Sequence, residues 1–219
     1  MHEDSNSRCN SGLSHLLSLG KTFFPILMFL FFDTETTGLP LKGQYSNPSH
    51  PSTPKLVELA ACLFNDEGVE QDSFVSIIKP YGFDIPIEAS NVHGITTERA
   101  NVEGVDLKTS FEAFLDLVER SIALVAHNAL YDKLILDRVM IDLNYSGSFL
   151  IGKPLICTKE LTTPVCRIPG FRGQFKWPTL QEAHLHFFGE EFASAHSALA
   201  DVQACARIFF EGRKQGLWS

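Results

Sequence analysis

The chain has 219 residues, of which 44% are apolar, and it carries a formal net charge of −8 with a pI near 5.4. This length and apolar content predict a single domain with one substantial core. The acidic balance argues against a protein that coats long stretches of nucleic acid, because such proteins carry a basic surface that displaces counterions. It does not exclude an enzyme that grips one end of a strand, since bound divalent cations neutralise catalytic acids.

The N-terminal part holds an apolar run, residues 23–32, that resembles a membrane segment only superficially. A bilayer crossing needs about 20 apolar residues, and no basic cluster precedes the run. We therefore expect no membrane partner. Residues 1–27 are interpreted as an N-terminal extension, either disordered or the product of a misassigned start, because Met28 opens the first predicted strand.

Hydrophobic periodicity over residues 28–219 predicts strands first and then alternating helices and strands. The predicted elements are strands over 28–32, 55–65 and 71–79, helices over 86–93 and 110–120, a strand over 122–126, a helix over 129–143, a strand over 154–157, and helices over 179–188 and 198–213. Proline, glycine and aromatic residues predict a loop over 164–178. The order predicts one layered α/β domain.

Five cysteines are scattered along the chain without a CxxC pair or a zinc-ligand spacing. This usage favours a reducing, cytoplasmic setting, and the alternative is a secreted protein with an unpaired thiol.

Two acids, Asp33 and Glu35, follow the first predicted strand. Their spacing sends both side chains to the same side of a sheet, so that two carboxylates face one point. A pair of exposed acids at a strand end is the structural alternative. Half of a calcium loop is a second alternative, but Gln44 stands where an EF-hand requires a bidentate glutamate, and a strand precedes the loop instead of a helix.

Two further pairs of polar residues stand at predicted helix starts. Asn128 and Asp132 are four residues apart where a strand feeds a helix, so they share a face of its first turn. The structural alternative is a helix cap and a first-turn acid that complements the helix dipole. His196 and Asp201 lie at the start of the last helix, where the histidine could equally be a capping or solvated residue.

Taken together, these groups resemble the DnaQ-like 3'-to-5' exonucleases of the DEDDh type in their order and spacing. The phrases that carry the resemblance are Asp33-Thr34-Glu35-Thr36-Thr37-Gly38, Val92-His93-Gly94-Ile95, Val125-Ala126-His127-Asn128 with Asp132, and His196-x-x-x-x-Asp201. The resemblance runs over residues 28–212. It implies a ribonuclease H-like fold of the α/β class, with a mixed central sheet whose first three strands are antiparallel and with helices on its faces.

The resemblance also implies the chemistry of the site. The residues expected to be catalytic are Asp33, Glu35, Asp132, His196 and Asp201. Carboxylate oxygens suit Mg²⁺ or Mn²⁺ and do not suit zinc or copper. The family pattern implies two Mg²⁺ ions, for which Mn²⁺ substitutes, bridged by Asp33, with Glu35 and Asp201 completing one ion's site and Asp132 holding the other. His196 is then expected to take a proton from the attacking water, a role that suits histidine near neutral pH.

Substrate contacts are implied by the same resemblance. The residues expected to bind the terminal nucleotide are Thr36, Thr37 and Gly38 through their backbone, Leu39 against the base, and His93 and Asn128. The stretch 167–177 mixes cations with aromatic residues, a combination found on surfaces that track a single strand. The alternative is that Phe175 and Trp177 belong to the core and the cations are solvated.

The sequence therefore predicts a metal-dependent 3'-to-5' exonuclease that releases nucleoside monophosphates from a nucleic acid with a free 3' end, with single-stranded DNA as the favoured substrate. An exoribonuclease that trims RNA or short oligonucleotides is the alternative among enzymes, because discrimination depends on groups near the sugar. A non-catalytic nucleic-acid-binding module on the same fold is the alternative from another class. A polymerase partner is not favoured, since no evident docking tail follows the last predicted helix, and the oligomeric state is left open.

Overall fold

A mixed sheet of five strands forms the centre of the protein. The computed structural model describes residues 27–43 and 46–218, so the predicted extension over 1–27 lies outside the described residues except for Leu27. The elements in chain order are β1 (Met28–Thr36), β2 (Leu56–Asn65), β3 (Glu70–Ile77), α1 (Ile87–His93), α2 (Thr97–Glu103), α3 (Leu107–Arg120), β4 (Ala123–Ala126), α4 (Ala129–Asp142), β5 (Leu155–Cys157), α5 (Thr158–Cys166), α6 (Leu180–Phe188) and α7 (Ala198–Lys214). Within the described ranges, none of the helices is long and apolar enough to cross a membrane.

Strand β1 occupies the middle of the sheet, whose order is β3-β2-β1-β4-β5. The pairs β1–β2 and β2–β3 are antiparallel, whereas β4 runs parallel to β1 and β5 runs parallel to β4. The prediction of a mixed sheet with three antiparallel first strands is confirmed. Because helices cover both faces of its middle, β1 reads as a continuous apolar run and lacks the alternation of a half-exposed strand.

Successive side chains of β1 enter two different cores. Phe29 and Phe31 face α7, where the ring of Phe209 lies 5.4 Å from each of theirs. Leu30 and Phe32 face the opposite side and pack against α3 and α4. Burial of these large side chains on both sides of one strand fixes its register, since a slip by one residue would exchange the two sets.

Helix α5 is a departure from the predicted loop over 164–178. It begins at Thr158 and holds Pro164 in its last turn. Threonine-rich segments have low intrinsic helix propensity, so the sequence gives little sign of this helix. Tertiary contacts stabilise it instead, because Thr158 and Thr162 are buried, and the Thr158 hydroxyl donates to the Ala126 carbonyl of β4 at 3.3 Å.

Helix α2 is the second element without a counterpart among the predicted ones. The Thr96 hydroxyl caps its start by accepting from the Arg99 N–H at 3.2 Å. At seven residues the helix is too short to display a periodic apolar pattern, which is why periodicity does not reveal it.

Candidate active site

The alternation along β1 also divides the polar residues at its end. Asp33 and Glu35 continue the face that Phe29 and Phe31 turn toward α7, as the predicted pleat requires. Thr34 and its even-numbered neighbours point toward the α4 side. The carboxyl ends of β1 and the parallel β4 lie side by side here, which is where open α/β sheets place their ligands.

Asp132 is fixed to β1 from the first turn of α4. Its Oδ1 accepts two hydrogen bonds from Thr34, one from the backbone N–H at 3.1 Å and one from the hydroxyl at 2.7 Å. The carboxylate lies in the first turn of α4, as the structural alternative also expects, and it is buried. Thr34 thereby ties the second acidic motif to the first, although sequence reasoning gave this threonine no role.

Asp201 and His196 approach the same end of β1 from the start of α7. Asp201 Oδ2 accepts a hydrogen bond from the His196 backbone N–H at 3.3 Å. His196 is exposed, and its backbone has a left-handed φ of 68°, a conformation that is strained for a non-glycine residue. Asp201 Oδ1 is buried and has no hydrogen-bond partner among the described residues.

Glu58 on β2 holds the start of α7 in place. It stands opposite Glu35 in the β1–β2 register, and its Oε2 accepts a hydrogen bond from the Ala198 N–H at 3.2 Å. Ser197, at the capping position, makes no side-chain cap of its own. Sequence reasoning missed Glu58 because the contact joins residues that are 140 positions apart.

We expect Glu58→Ala to lower the free energy of unfolding by about 1 kcal/mol, since the buried Ala198 N–H loses its acceptor. Activity should fall with it, because His196 and Asp201 precede and follow this helix start. Glu58→Gln retains an acceptor oxygen and is the matched control. Urea denaturation of the three proteins measures the effect, and equal stability of Glu58→Ala and Glu58→Gln would exclude the capping role.

Burial raises the pKa values of all four carboxyl groups, and repulsion from neighbouring acids adds to the rise at Asp33, Glu35 and Asp132. Burial and then the charges of Asp132 and Asp201 raise the pKa of Asp33 well above its usual range. Burial and then the Asp201 charge raise the pKa of Glu35 to about 8. Burial raises the pKa of Asp132 to about 7 against the opposing hydrogen bonds from Thr34, and that of Asp201 to about 6. The folded protein thus favours protons, or another positive charge, at this site.

These residues fit divalent cations. One ligand atom from each of Glu35, His196 and Asp201 lies within 4.8 Å of the other two, and Asp33 and Asp132 stand close enough to repel one another. The unpartnered Asp201 Oδ1 and the raised pKa values both describe a place where negative charge lacks compensation. A donor set made chiefly of carboxylate oxygens suits Mg²⁺ or Mn²⁺.

A pH-dependent stabilisation by metal follows from the raised pKa values. Between about pH 4.5 and 8 the folded, metal-free protein binds more protons here than the unfolded chain, so its stability falls as pH rises through the folded-state pKa values. A divalent cation bound here would compete with those protons, so Mg²⁺ should raise the melting temperature more at pH 8 than at pH 6. Thermal unfolding with 10 mM MgCl₂ or EDTA (about 1 mM), concentrations chosen to saturate or strip a site, measures both shifts. Equal shifts at the two pH values would contradict the linkage.

The predicted substrate residues Thr36 and Gly38 form one compact turn with Tyr131. The Tyr131 hydroxyl lies 2.5 Å from Thr36 Oγ1 and 2.7 Å from the Gly38 carbonyl oxygen. Thr37 is held from the other side, since its N–H donates to the Lys55 carbonyl and its hydroxyl accepts from the Lys55 N–H, both at 3.0 Å. The turn is thus rigid before any ligand binds, and Tyr131 is a contact that sequence reasoning missed.

The other residues predicted to contact the substrate, Leu39, His93 and Asn128, lie in three different environments. Leu39 is exposed beside the turn and free to pack on a base. His93 accepts a hydrogen bond from the Ile95 N–H at Nδ1, which leaves the proton on Nε2, and burial lowers its pKa. Asn128 occupies the capping position of α4 in a left-handed conformation, but its side chain caps nothing. Its Oδ1 instead accepts a hydrogen bond from Lys159 Nζ at 2.5 Å, so the alternative of a side-chain cap is wrong.

The stretch 167–177 is exposed and does not enter the core. Phe171, Phe175 and Trp177 are 81%, 48% and 64% exposed. The alternative in which Phe175 and Trp177 are core residues is therefore wrong. Lys176 forms an ion pair with Glu182 at 2.6 Å, whereas the stretch as a whole turns its aromatic rings toward solvent.

Comparison with known proteins identifies a matching family model and solved structures of the same fold. The family model described as Exonuclease (RNase T) matches residues 30–209. Among solved structures, E. coli exonuclease I in complex with a dT13 oligonucleotide has a TM-score of 0.69 and 18% identity, covering 85% of this chain and 41% of that one. A moderately thermophilic exonuclease I from Methylocaldum szegediense has a TM-score of 0.65 and 16% identity, covering 86% and 41%. No curated protein sequence gives a match.

The mixed five-stranded sheet with helices on its faces is a ribonuclease H-like fold. The chain belongs to the RNase T exonuclease family, and the resemblance to the DnaQ-like exonucleases is confirmed. It spans about two fifths of the length of the exonuclease I chains, with which it shares the fold.

Proposed function

We propose that this protein is a metal-dependent 3'-to-5' exonuclease that releases nucleoside monophosphates from single-stranded DNA. The observation that carries the proposal is the convergence of Asp33, Glu35, Asp132 and Asp201, from three separate elements, at the end of β1 with raised pKa values. Structural ion-pair networks also perturb acids, but here no cation of the described residues forms a salt bridge with any of the four. Uncompensated, buried acids are a hallmark of catalytic sites.

The four carboxylates would hold two Mg²⁺ ions, or Mn²⁺ in their place, with Asp33 shared between them. When bound, such a pair stabilises charge on the attacking and leaving oxygens of an in-line displacement at phosphorus. Thr34 keeps Asp132 oriented toward β1, and Glu58 keeps the start of α7 in register with Glu35.

His196 is proposed as the general base. Its exposed side chain lies within 4.8 Å of the Glu35 and Asp201 oxygens, so it can reach a water molecule placed among them. His196 lies two residues before α7 and has a left-handed φ of 68°. The turn of Thr36, Thr37 and Gly38, with Leu39, would hold the terminal nucleotide, and His93 and Asn128 would bound the pocket.

Single-stranded DNA is favoured because solved chains of the same fold hold dT13 and dA16 oligonucleotides. RNA is the second candidate. Discrimination between the two polymers depends on the groups near the sugar, so a rate comparison on matched strands decides between them.

The deciding experiment is degradation of 5'-labelled single-stranded DNA and RNA of one sequence with Mg²⁺, beside a metal-free reaction. We expect a ladder that shortens from the 3' end, with DNA degraded faster and the metal-free control silent. Cleavage from the 5' end would refute the direction, and faster RNA degradation would move the assignment to an exoribonuclease. No cleavage by folded protein with either Mg²⁺ or Mn²⁺ would favour a non-catalytic nucleic-acid-binding module.

A further inference from the structure

A cavity of about 500 Å³ opens beside the first turn of α4, next to the acid cluster. Its walls include Asn128, Leu130, Tyr131, Lys159 and Trp177. Tyr131 belongs to this wall and also closes the turn of Thr36–Gly38 proposed to hold the terminal nucleotide. The cavity therefore adjoins the terminal-nucleotide site on the far side of Tyr131.

Lys159 and Trp177 make a cation–π contact at the rim of this cavity. Lys159 Nζ lies 4.2 Å from the centre of the Trp177 ring and 2.5 Å from Asn128 Oδ1, so the ammonium is held between an aromatic face and an amide. The indole is 64% exposed, which leaves a large part of its surface accessible. A flat apolar ring beside a fixed cation matches the two parts of a nucleotide, a base and a phosphate.

His127 fixes the position of this pair relative to the acids. It directly follows β4, and its Nε2 donates at 3.1 Å to the carbonyl of Pro178, the residue after Trp177. Burial lowers the pKa of His127 to about 4, so the ring stays neutral and its Nδ1 can accept from the Thr158 hydroxyl at 3.0 Å. The strand that leads into Asn128 is thereby connected to the base of the aromatic stretch.

The aromatic surface continues beyond Trp177. Residues 168–176 fold back on themselves, with the Lys176 N–H donating to the Ile168 carbonyl at 3.0 Å and the Gly170 N–H to the Gln174 carbonyl at 2.8 Å. A side chain at Gly170 would meet backbone atoms at 2.7 Å, so this close approach requires glycine. A second cavity of about 570 Å³ lies along this fold and also has Trp177 in its wall. Trp177 therefore joins the two cavities.

The charge of this surface is opposite to that of the chain. Residues 159–177 contain four cations and one acid, in a protein whose formal net charge is −8. The cations are Lys159, Arg167, Arg172 and Lys176, of which Lys176 is paired with Glu182, and the acid is Glu160. A locally positive, aromatic surface beside a strongly negative site attracts the phosphates of a strand while the acids alone would repel them.

We propose that Trp177 and Lys159 form a subsite for the nucleotides immediately 5' of the terminal one, in which a base stacks on Trp177 and the adjoining phosphate contacts Lys159. The single strand then continues along the 168–176 fold. This subsite rests on the proposed exonuclease function for its direction, but its binding of single-stranded nucleic acid can be measured without catalysis.

The binding test uses the intrinsic fluorescence of the full chain, which has two tryptophans, Trp177 and Trp218. Titration of the wild type with dT8 in EDTA should quench part of the emission, and Trp177→Phe should remove that quenching because only Trp218 then emits. The dissociation constant of Trp177→Ala, read by anisotropy of labelled dT8, should rise about tenfold, with Trp177→Phe restoring most of the loss. Lys159→Gln should reduce the slope of log affinity against log salt by about 0.7.

The kinetic test compares oligonucleotide lengths. The increase in kcat/KM from dT2 to dT8 should shrink about tenfold in Trp177→Ala, through KM. Tyr81→Ala is the matched control, because Tyr81 is equally exposed at 64% and lines neither cavity. It should leave the length dependence as in the wild type. Because Trp177 is exposed, its substitution should not disturb the fold, and circular dichroism of the variants checks this.

The outcomes separate the subsite from the proposed function. Quenching that depends on Trp177 in a protein that cleaves nothing would retain the subsite and overturn the exonuclease. Cleavage by a protein in which Trp177→Ala alters neither dT8 affinity nor length dependence would retain the exonuclease and overturn the subsite. A loss that Tyr81→Ala reproduces equally would also overturn it.

Discussion

Asp33→Asn should lower kcat on single-stranded DNA by at least about 10³-fold while raising the melting temperature of the metal-free protein at pH 8 by about 3 °C. Turnover falls and stability rises because turnover depends on the metal-bound carboxylate, whereas the melting temperature in this experiment reports the metal-free one. Burial and the neighbouring acids raise the pKa of Asp33 far above its usual range, so its ionised form destabilises the folded, metal-free protein. An amide of the same shape removes that charge and, with it, a ligand proposed to be shared by two cations.

Steady-state kinetics and thermal unfolding in EDTA measure these effects on the same preparation. Asp84→Asn is the control, since Asp84 is exposed and far from the acid cluster in the chain, and it should change neither quantity. Added Mg²⁺ should reverse the order of stability, because the wild type gains a bound cation and the variant gains less. An inactive variant that melts below the wild type in EDTA would show that the loss reflects damage to the fold.

His196→Asn should lower kcat by about 10²- to 10³-fold and leave most of the stabilisation by Mg²⁺ intact. Asparagine cannot serve as a general base near neutral pH, yet it accepts the left-handed backbone of position 196 more readily than most residues. The fold at the start of α7 should therefore be preserved or slightly strengthened. This prediction separates two roles, metal ligand and general base, because an imidazole nitrogen lies within 4.8 Å of the Glu35 and Asp201 oxygens.

The comparison with Asp201→Asn makes the test specific. That variant should lose both turnover and the Mg²⁺-dependent rise in melting temperature, because it removes a proposed ligand. His186→Asn, at an exposed position of α6, should lose neither. If His196→Asn abolishes the response to Mg²⁺ as fully as Asp201→Asn does, His196 is a ligand and the general base lies elsewhere.

The sequence predicted the strands and most helices because these depend on local pattern, and the pleat places Asp33 and Glu35 on one face whatever the rest of the chain does. The mixed sheet and the joining of these two acids with Asp132 and Asp201 were implied by the family resemblance, since periodicity gives neither strand order nor contacts between distant segments. Their roles as ligands stay a prediction until metal binding is measured.

Contacts between distant segments were beyond that reasoning. Thr34 and Glu58 hold the site together through partners 98 and 140 positions away, and nothing in their own neighbourhoods marks them. Trp177 looked equally like core or surface because an aromatic residue near proline fits both. Only the fold decides it, by docking Pro178 against His127 and leaving the indole outside.

The division of β1 between two cores bears on insertions and deletions. A single residue added or lost within Phe29–Phe32 would rotate everything after it by half a pleat, so the carboxylates would turn toward α4 and the threonines toward α7. One such change would therefore disrupt both the arrangement of the proposed metal ligands and the packing of the two cores. Length changes in this strand should therefore be tolerated far less than substitutions, and natural variation in chain length should be confined to the connections between elements.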